Sequence, residues 1–345
     1  MKKKMSLCIV LLLLIVPLLF SKGANEKAYD SFWSIIRKHY PMYYVAASKG
    51  VDLKGIEENG RGRFSEDSSP EEMIFLFRNI SRSFVKLDYI NVFPSSIYDS
   101  AVLSEADSYV STKKSPGYTY IPTIKTVILT IPSFAAADLR EDFILRSLEN
   151  LDDVENIIFN VTGNITGNNQ DDLSAILSPF GGSWDYTYRA YFRNRYTAGL
   201  FFTEDVIMET VNKLYKDEYR LPYYVDVTKS YDFGDGTLNE RLKNAKRWIL
   251  VDSETSCTAD FFASFAQVAG WATVVGHRTN GNGTGLPVIY TFLNGKNYVL
   301  AFNSTVISNS KGGLKALSGT IPDITADDGR SALKLCLDLI EESGI

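Results

Sequence analysis

Between Glu26 and Tyr40 the apolar side chains fall at Tyr29, Phe32, Trp33, Ile36 and Tyr40. Spacings of three and four put them on one face of a helix that stops before Pro41. A second helix is predicted from Pro70 to about Val85. Ser68 or Ser69 can cap it, Glu71 and Glu72 suit its first turn, and Met73, Phe75, Leu76, Phe77 and Ile80 form its apolar side. Residues 94–118, rich in Ser, Tyr and Asp, keep no period and read as loop with short strands. Beyond them the pattern changes. Short apolar, β-branched runs at 126–131, 154–159, 248–251 and 272–275 read as buried strands, and 139–150, 171–177 and 259–268 read as the helices between them. Residues 178–247 receive no element. Buried strands alternating with helices predict an α/β core with a mostly parallel sheet. Val288–Phe292 and Tyr298–Phe302 about Asn294-Gly295 read as a hairpin, and a helix from Gly329 to Glu342 closes the chain.

The first two dozen residues differ from all of this. Lys2, Lys3 and Lys4 make a basic start, Leu7 to Phe20 is an almost unbroken apolar run, and Ser21-Lys22-Gly23 brings small residues ahead of a cleavage point. Residues 1–24 read as a secretory signal peptide, so the mature chain is expected to be exported, periplasmic or secreted. An uncleaved anchor is the alternative, but the run is shorter than the roughly 20 residues that span a bilayer. No later segment spans. Over all 345 residues, 45% are apolar and 22% charged, a globular balance long enough for a large domain and a smaller one. With 36 Lys and Arg against 41 Asp and Glu the net charge is -5, and residues 1–24 carry four of those Lys and no acid. The exported protein is therefore acidic, with no field to attract nucleic acid. Two His and three Cys are too few for zinc clusters, and no metal site is expected. Cys336 sits in the apolar stripe of the last helix and reads as core rather than as half of a disulfide with Cys257.

Candidate chemistry collects where the strand at 248–251 runs through Asp252-Ser253-Glu254-Thr255-Ser256-Cys257-Thr258-Ala259-Asp260 into a buried helix. A strand-to-helix turn of this kind presents a side chain beside backbone N–H groups at a helix N-terminus, which lowers a thiol pKa and can stabilise an oxyanion. Two readings stand at this point. Thr255, Ser256 and Thr258 cap the helix, or one side chain of the turn is a nucleophile.

The same segment, followed by Val274-Val275-Gly276-His277-Arg278-Thr279-Asn280-Gly281, the hairpin Phe292-Leu293-Asn294-Gly295, Ile321-Pro322-Asp323-Ile324 and the closing helix, resembles the tail-specific (C-terminal processing, tricorn-like) serine peptidases. Tyr29-Asp30-Ser31-Phe32-Trp33 with Tyr40-Pro41 is similar to that family's N-terminal helical region. Ile157-Ile158-Phe159-Asn160-Val161-Thr162-Gly163-Asn164 is similar to its Ile-Ile-Asp-Leu-Arg-Gly-Asn segment. The resemblance runs in order over nearly all the mature chain. It implies a crotonase-like ββα spiral core over residues 94–345, an N-terminal helical subdomain over 25–93, and no PDZ domain inserted between Asp88 and Thr126. It implies no cofactor.

Carried over residue by residue, the resemblance places the family's Ser nucleophile at Cys257, next to Ser256. The Lys base, 25 residues on, falls at Asn282, the His base of the tricorn-like branch at Ile90, and the loop Arg at Thr162. Gly163, Asn164 and Thr258 keep the backbone features of the oxyanion site and its loop. A hydroxyl without a base is nearly inert, whereas a thiol depends on one least. The expectation is a peptidase relative with impaired catalysis that binds a peptide or an unfolded protein segment. The alternative is an active peptidase using Cys257, or Ser256 in a shifted register, with His277 as base.

Overall fold

The computed structural model describes residues 23–82, 90–97, 115–134, 139, 142–165, 173–281, 288–294, 297–308, 312–327 and 329–343. Four helices come first: α1 (Ala24–His39), α2 (Met42–Ser48), α3 (Leu53–Arg61) and α4 (Pro70–Arg82). After them run β1 (Ile90–Pro94), β2 (Gly117–Ile121), β3 (Thr126–Thr130), α5 (Phe143–Leu148), β4 (Asn156–Asn160), α6 (Ser174–Leu177), β5 (Ser183–Phe192), α7 (Arg195–Gly199), β6 (Met208–Glu209), β7 (Tyr223–Asp232), α8 (Glu240–Asn244) and β8 (Lys246–Val251). The remainder is α9 (Thr258–Ala269), β9 (Thr273–Gly276), β10 (Val288–Phe292), β11 (Tyr298–Asn303), β12 (Val306–Ile307), α10 (Lys315–Ser318), β13 (Ile324–Thr325) and α11 (Ala332–Glu342).

The predicted α/β core is present. A six-stranded sheet has the order β13-β9-β8-β4-β3-β2, parallel throughout except at β2, which pairs antiparallel with β3. Its β-branched runs are buried on both faces, as parallel strands flanked by helices require. Phe159 on one face packs with Phe180, Phe262 and Trp271 beneath α9. Ile158, Trp248, Leu250 and Val275 on the other meet Cys336 and Ile340 of α11. Burial there pushes the Cys336 thiol up to about 12, and no disulfide joins it to Cys257.

Local chemistry sets the helix ends. Tyr40, ahead of Pro41, is extended and ends α1. Ser69 and Glu72 bond reciprocally to each other's backbone N–H at 3.3 and 2.8 Å, a capping box that starts α4. The last helix begins at Ala332, three residues later than expected, because Ser331 caps it. The predicted helix at 139–150 shortens to Phe143–Leu148. The N-terminal helices share a core with the hairpin β10–β11 and with β1: Phe77 packs on Tyr298, Tyr40 on Phe302, and the Tyr298 hydroxyl donates to Asn25 Oδ1 at 3.2 Å.

The largest feature unassigned from the sequence is a four-stranded antiparallel sheet of order β12-β5-β7-β6, whose long central ribbon pairs β5 with β7 from Ser183↔Asp232 to Phe192↔Tyr223. Cross-strand pairs stitch its open side: Thr187 with Thr228, Ser230 with Asp185, and a two-pronged Arg189–Asp226 contact at 2.7 and 2.8 Å. Tyr186 turns the other way, onto Phe261, with its hydroxyl 3.0 Å from Ser264 of α9. No helix among the described residues is long and apolar enough to cross a membrane.

His39 joins the helices to the ribbon end, with Nδ1 at 2.9 Å from Thr197 Oγ1 and 3.2 Å from Asn194 Nδ2. Burial, then Lys38, holds its imidazole below the ordinary value of 6.5. As pH falls through that value the unfolded chain takes up the proton first, so stability is lost downward from there until the folded imidazole also charges. Urea midpoints measured between pH 8 and 5 are expected to fall below about 6.5 and to flatten in His39→Gln. Parallel curves for the two proteins would remove His39 from that dependence.

Candidate active site

The turn after β8 is built by Asp252. Its Oδ1 accepts the N–H groups of Glu254 at 3.1 Å and Thr255 at 2.9 Å, and the Thr255 hydroxyl lies 2.8 Å away. The same oxygen takes the N–H of Gly163 at 3.0 Å, tying the loop after β4 to this turn. Asn164 is buried and makes the second tie: its amide donates to the Ile131 carbonyl at 2.9 Å, and its own carbonyl accepts Ser256 N–H at 3.0 Å.

Beyond Ser256 the loop 277–281 runs beside the turn in parallel. Val251 pairs with Gly276, Ser256 bridges Gly281, Asn280 N–H donates to the Thr255 carbonyl at 2.8 Å, and Cys257 N–H donates to that of Gly281 at 3.1 Å. This register puts His277 beside Asp252, where its N–H donates to Val251. His277 lines a cleft of about 390 Å³ with Asn160, Thr162 and Asp252, and Cys257 is not part of that lining. Ile90 opens β1 and is buried opposite Phe302. Asn282 lies outside the described residues.

Cys257 is half-buried immediately before α9, with φ 56° and ψ -129°. An L-residue with a side chain is strained there, by about 1–3 kcal/mol, and such strain persists only where surrounding contacts dictate it. A sharp, strained strand-to-helix turn is how a nucleophile is lifted clear of a sheet. Thr258 N–H is the first of α9, and no described group accepts it. Gly163 and Asn164 are different: their N–H groups go to Asp252 and to the Val161 carbonyl. Of the three backbone positions expected at an oxyanion site, only Thr258 is open.

A buried ion pair lies under the turn. Asp260, in the first turn of α9, faces Lys315 Nζ at 2.8 Å, and the two side chains are 0% and 1% exposed. Asp260 Oδ1 also accepts from Thr279 Oγ1 at 2.6 Å and from Thr320 Oγ1 and N–H at 2.7 and 3.1 Å. Burial pulls the Lys315 pKa down, and Asp260 opposes that shift. Gly281 passes so close that a Cβ on it would meet the Lys315 carbonyl at 2.2 Å. Nothing in the sequence separates Lys315 from surface lysines except its place among Leu314, Ala316 and Leu317. No group of three or more His, Cys, Asp or Glu among the described residues could hold a metal.

A model of peptidase family S41 matches residues 125–326. No curated protein matches the chain. Among solved structures, a candidate peptidase from Parabacteroides merdae is 14% identical with a TM-score of 0.58, covering 92% of this chain and 97% of its own. A lipoprotein from Streptococcus agalactiae is 10% identical with a TM-score of 0.52, covering 94% and 98%. A photosystem II D1 C-terminal processing protease is 9% identical with a TM-score of 0.47, covering 89% and 94%. At these identities the first two likenesses concern the fold.

The strain at Cys257 has a measurable signature. Cys257→Gly is expected to keep or raise stability by up to about 1 kcal/mol, and Cys257→Val to lower it by about 2 kcal/mol, in urea unfolding. A loss of about 1 kcal/mol in the glycine variant would mean that the turn is relaxed.

Proposed function

Since the chain belongs to peptidase family S41, we propose that it is an exported, non-hydrolytic member that binds extended peptides or protein C-termini. One observation carries the loss of hydrolysis: the Gly163 N–H is committed to the Asp252 carboxylate at 3.0 Å. A tetrahedral intermediate needs converging donors at its oxyanion, and losing one costs about 10²–10³ in rate. The proton-transfer positions are also altered, since Asn282 and Ile90 stand where the family's bases fall and neither side chain takes up a proton at neutral pH. Peptide binding makes smaller demands. Family peptidases add an extended chain to a sheet edge, which uses backbone groups and apolar pockets that outlast the catalytic side chains.

A second reading has its own support. The strained Cys257 at the head of α9, next to the open Thr258 N–H, suits a thiolate, the nucleophile that depends least on a base. Degradation of an unfolded polypeptide such as casein separates the two. Under the first reading the protein cleaves nothing above background, Cys257→Ala is silent, and calorimetry detects weak binding of an apolar peptide with a free carboxylate. Cleavage abolished by Cys257→Ala and by thiol alkylation would establish the second reading instead. Absence of both cleavage and peptide binding would discard both.

A further inference from the structure

Where the β5–β7 ribbon meets the N-terminal helices, two arginines stand without a carboxylate. Arg193 follows β5 and Arg220 precedes β7, and each guanidinium carbon lies 4.4 Å from the centroid of the Tyr44 ring on α2. Their neighbours are paired, Arg189 with Asp226 and Arg195 with Glu204. Among the described residues no carboxylate comes within ion-pair distance of Arg193 or Arg220. Arg193 donates from Nη1 to the Arg220 carbonyl at 3.1 Å, while its Nε is shut off from solvent with no acceptor. Arg220 takes a positive φ of 48°.

These observations are independent and point one way. A charged donor removed from water without an acceptor is costly, and native structures rarely leave one. Two like charges on one ring lie within about 9 Å of each other, comparable with the screening length of physiological salt, so they repel and both attract an anion placed beside them. Backbone strain at Arg220 is the kind that marks ligand clamps.

We propose that Arg193 and Arg220, carried on Tyr44, form a binding site for a phosphate-class oxyanion. Guanidinium forks match the edges of a tetrahedral oxyanion, and two of them neutralise a dianion. A carboxylate brings one charge and would leave one arginine unanswered. Contact with the Tyr44 ring holds both forks in place before the ligand arrives, so little side-chain freedom is lost on binding. The site shares no residue with the turn at Cys257 and does not depend on whether that turn is hydrolytic.

The test titrates the purified protein calorimetrically with inorganic phosphate at constant ionic strength. A second arm cosediments it with phosphatidic acid vesicles, whose phosphomonoester headgroup can carry two charges, against phosphatidylcholine vesicles. Saturable phosphate binding is expected, weakened at least about tenfold in Arg220→Gln, whose exposed side chain can be changed without disturbing the core. Arg193→Gln is the second variant. Selective binding to the anionic vesicles that Arg220→Gln abolishes, without binding of free phosphate, also supports the site and identifies a lipid headgroup as the source. No saturation in either arm, or equal affinity in wild type and both variants, overturns the proposal.

Discussion

Asp260 and Lys315, both shut away from water, fix how three separate stretches of chain meet beside Cys257. Two charges in an apolar interior are a liability unless each is paired and its remaining donors and acceptors are satisfied. Here the satisfaction comes from Thr279 and Thr320 and from the Asp260 carbonyl, 3.3 Å from Nζ. The carboxylate thereby fastens the loop 277–281 and the segment around α10 to the first turn of α9. Gly281 in turn accepts the Cys257 N–H. Removing one charge of such a pair strands the other, at about 3–5 kcal/mol, enough to dissolve the arrangement rather than weaken it. The strain at Cys257 is tolerable because the residues on either side of it are held in this way.

Under the proposed reading, the geometry that lifts a nucleophile out of a sheet outlives the chemistry it served. The strained backbone, the parallel loop and the open Thr258 N–H are all in place. What differs lies in side chains and in one hydrogen bond. Asp252 gathers the backbone N–H groups of Gly163, Glu254 and Thr255 onto a single oxygen. That bond makes the turn and the loop after β4 one rigid unit, and it withdraws the Gly163 donor from anything outside. His277, the one imidazole near the turn in sequence, is carried to the Asp252 side by the register of its loop.

Much of the fold is legible in the sequence because burial writes long, regular signals. The strands at Thr126, Asn156, Trp248 and Thr273 stand out as apolar runs, and α1, α4, α9 and α11 keep a helical period. The ribbon at 183–192 and 223–232 does not. Its strands are half open, so Arg189, Asp226, Thr187 and Thr228 interrupt the apolar rows, and their meaning appears only once the strands are paired. At the site, the turn around Cys257 is visible as a chain of small residues between a buried strand and a buried helix. The Asp260–Lys315 pair is invisible, since 55 residues separate two side chains that each resemble ordinary surface charges. The engagement of Gly163 is equally hidden, because it depends on the direction of one carboxylate oxygen.

Amide hydrogen exchange in Lys315→Met tests most directly whether the buried pair governs the turn. If it does, the N–H groups of Cys257, Thr279, Asn280 and Thr320 lose protection together, by about a hundredfold, while those of β8 and β4 are unchanged. Faster exchange confined to residues 312–320, with Cys257 and Asn280 as protected as in the wild type, would contradict it.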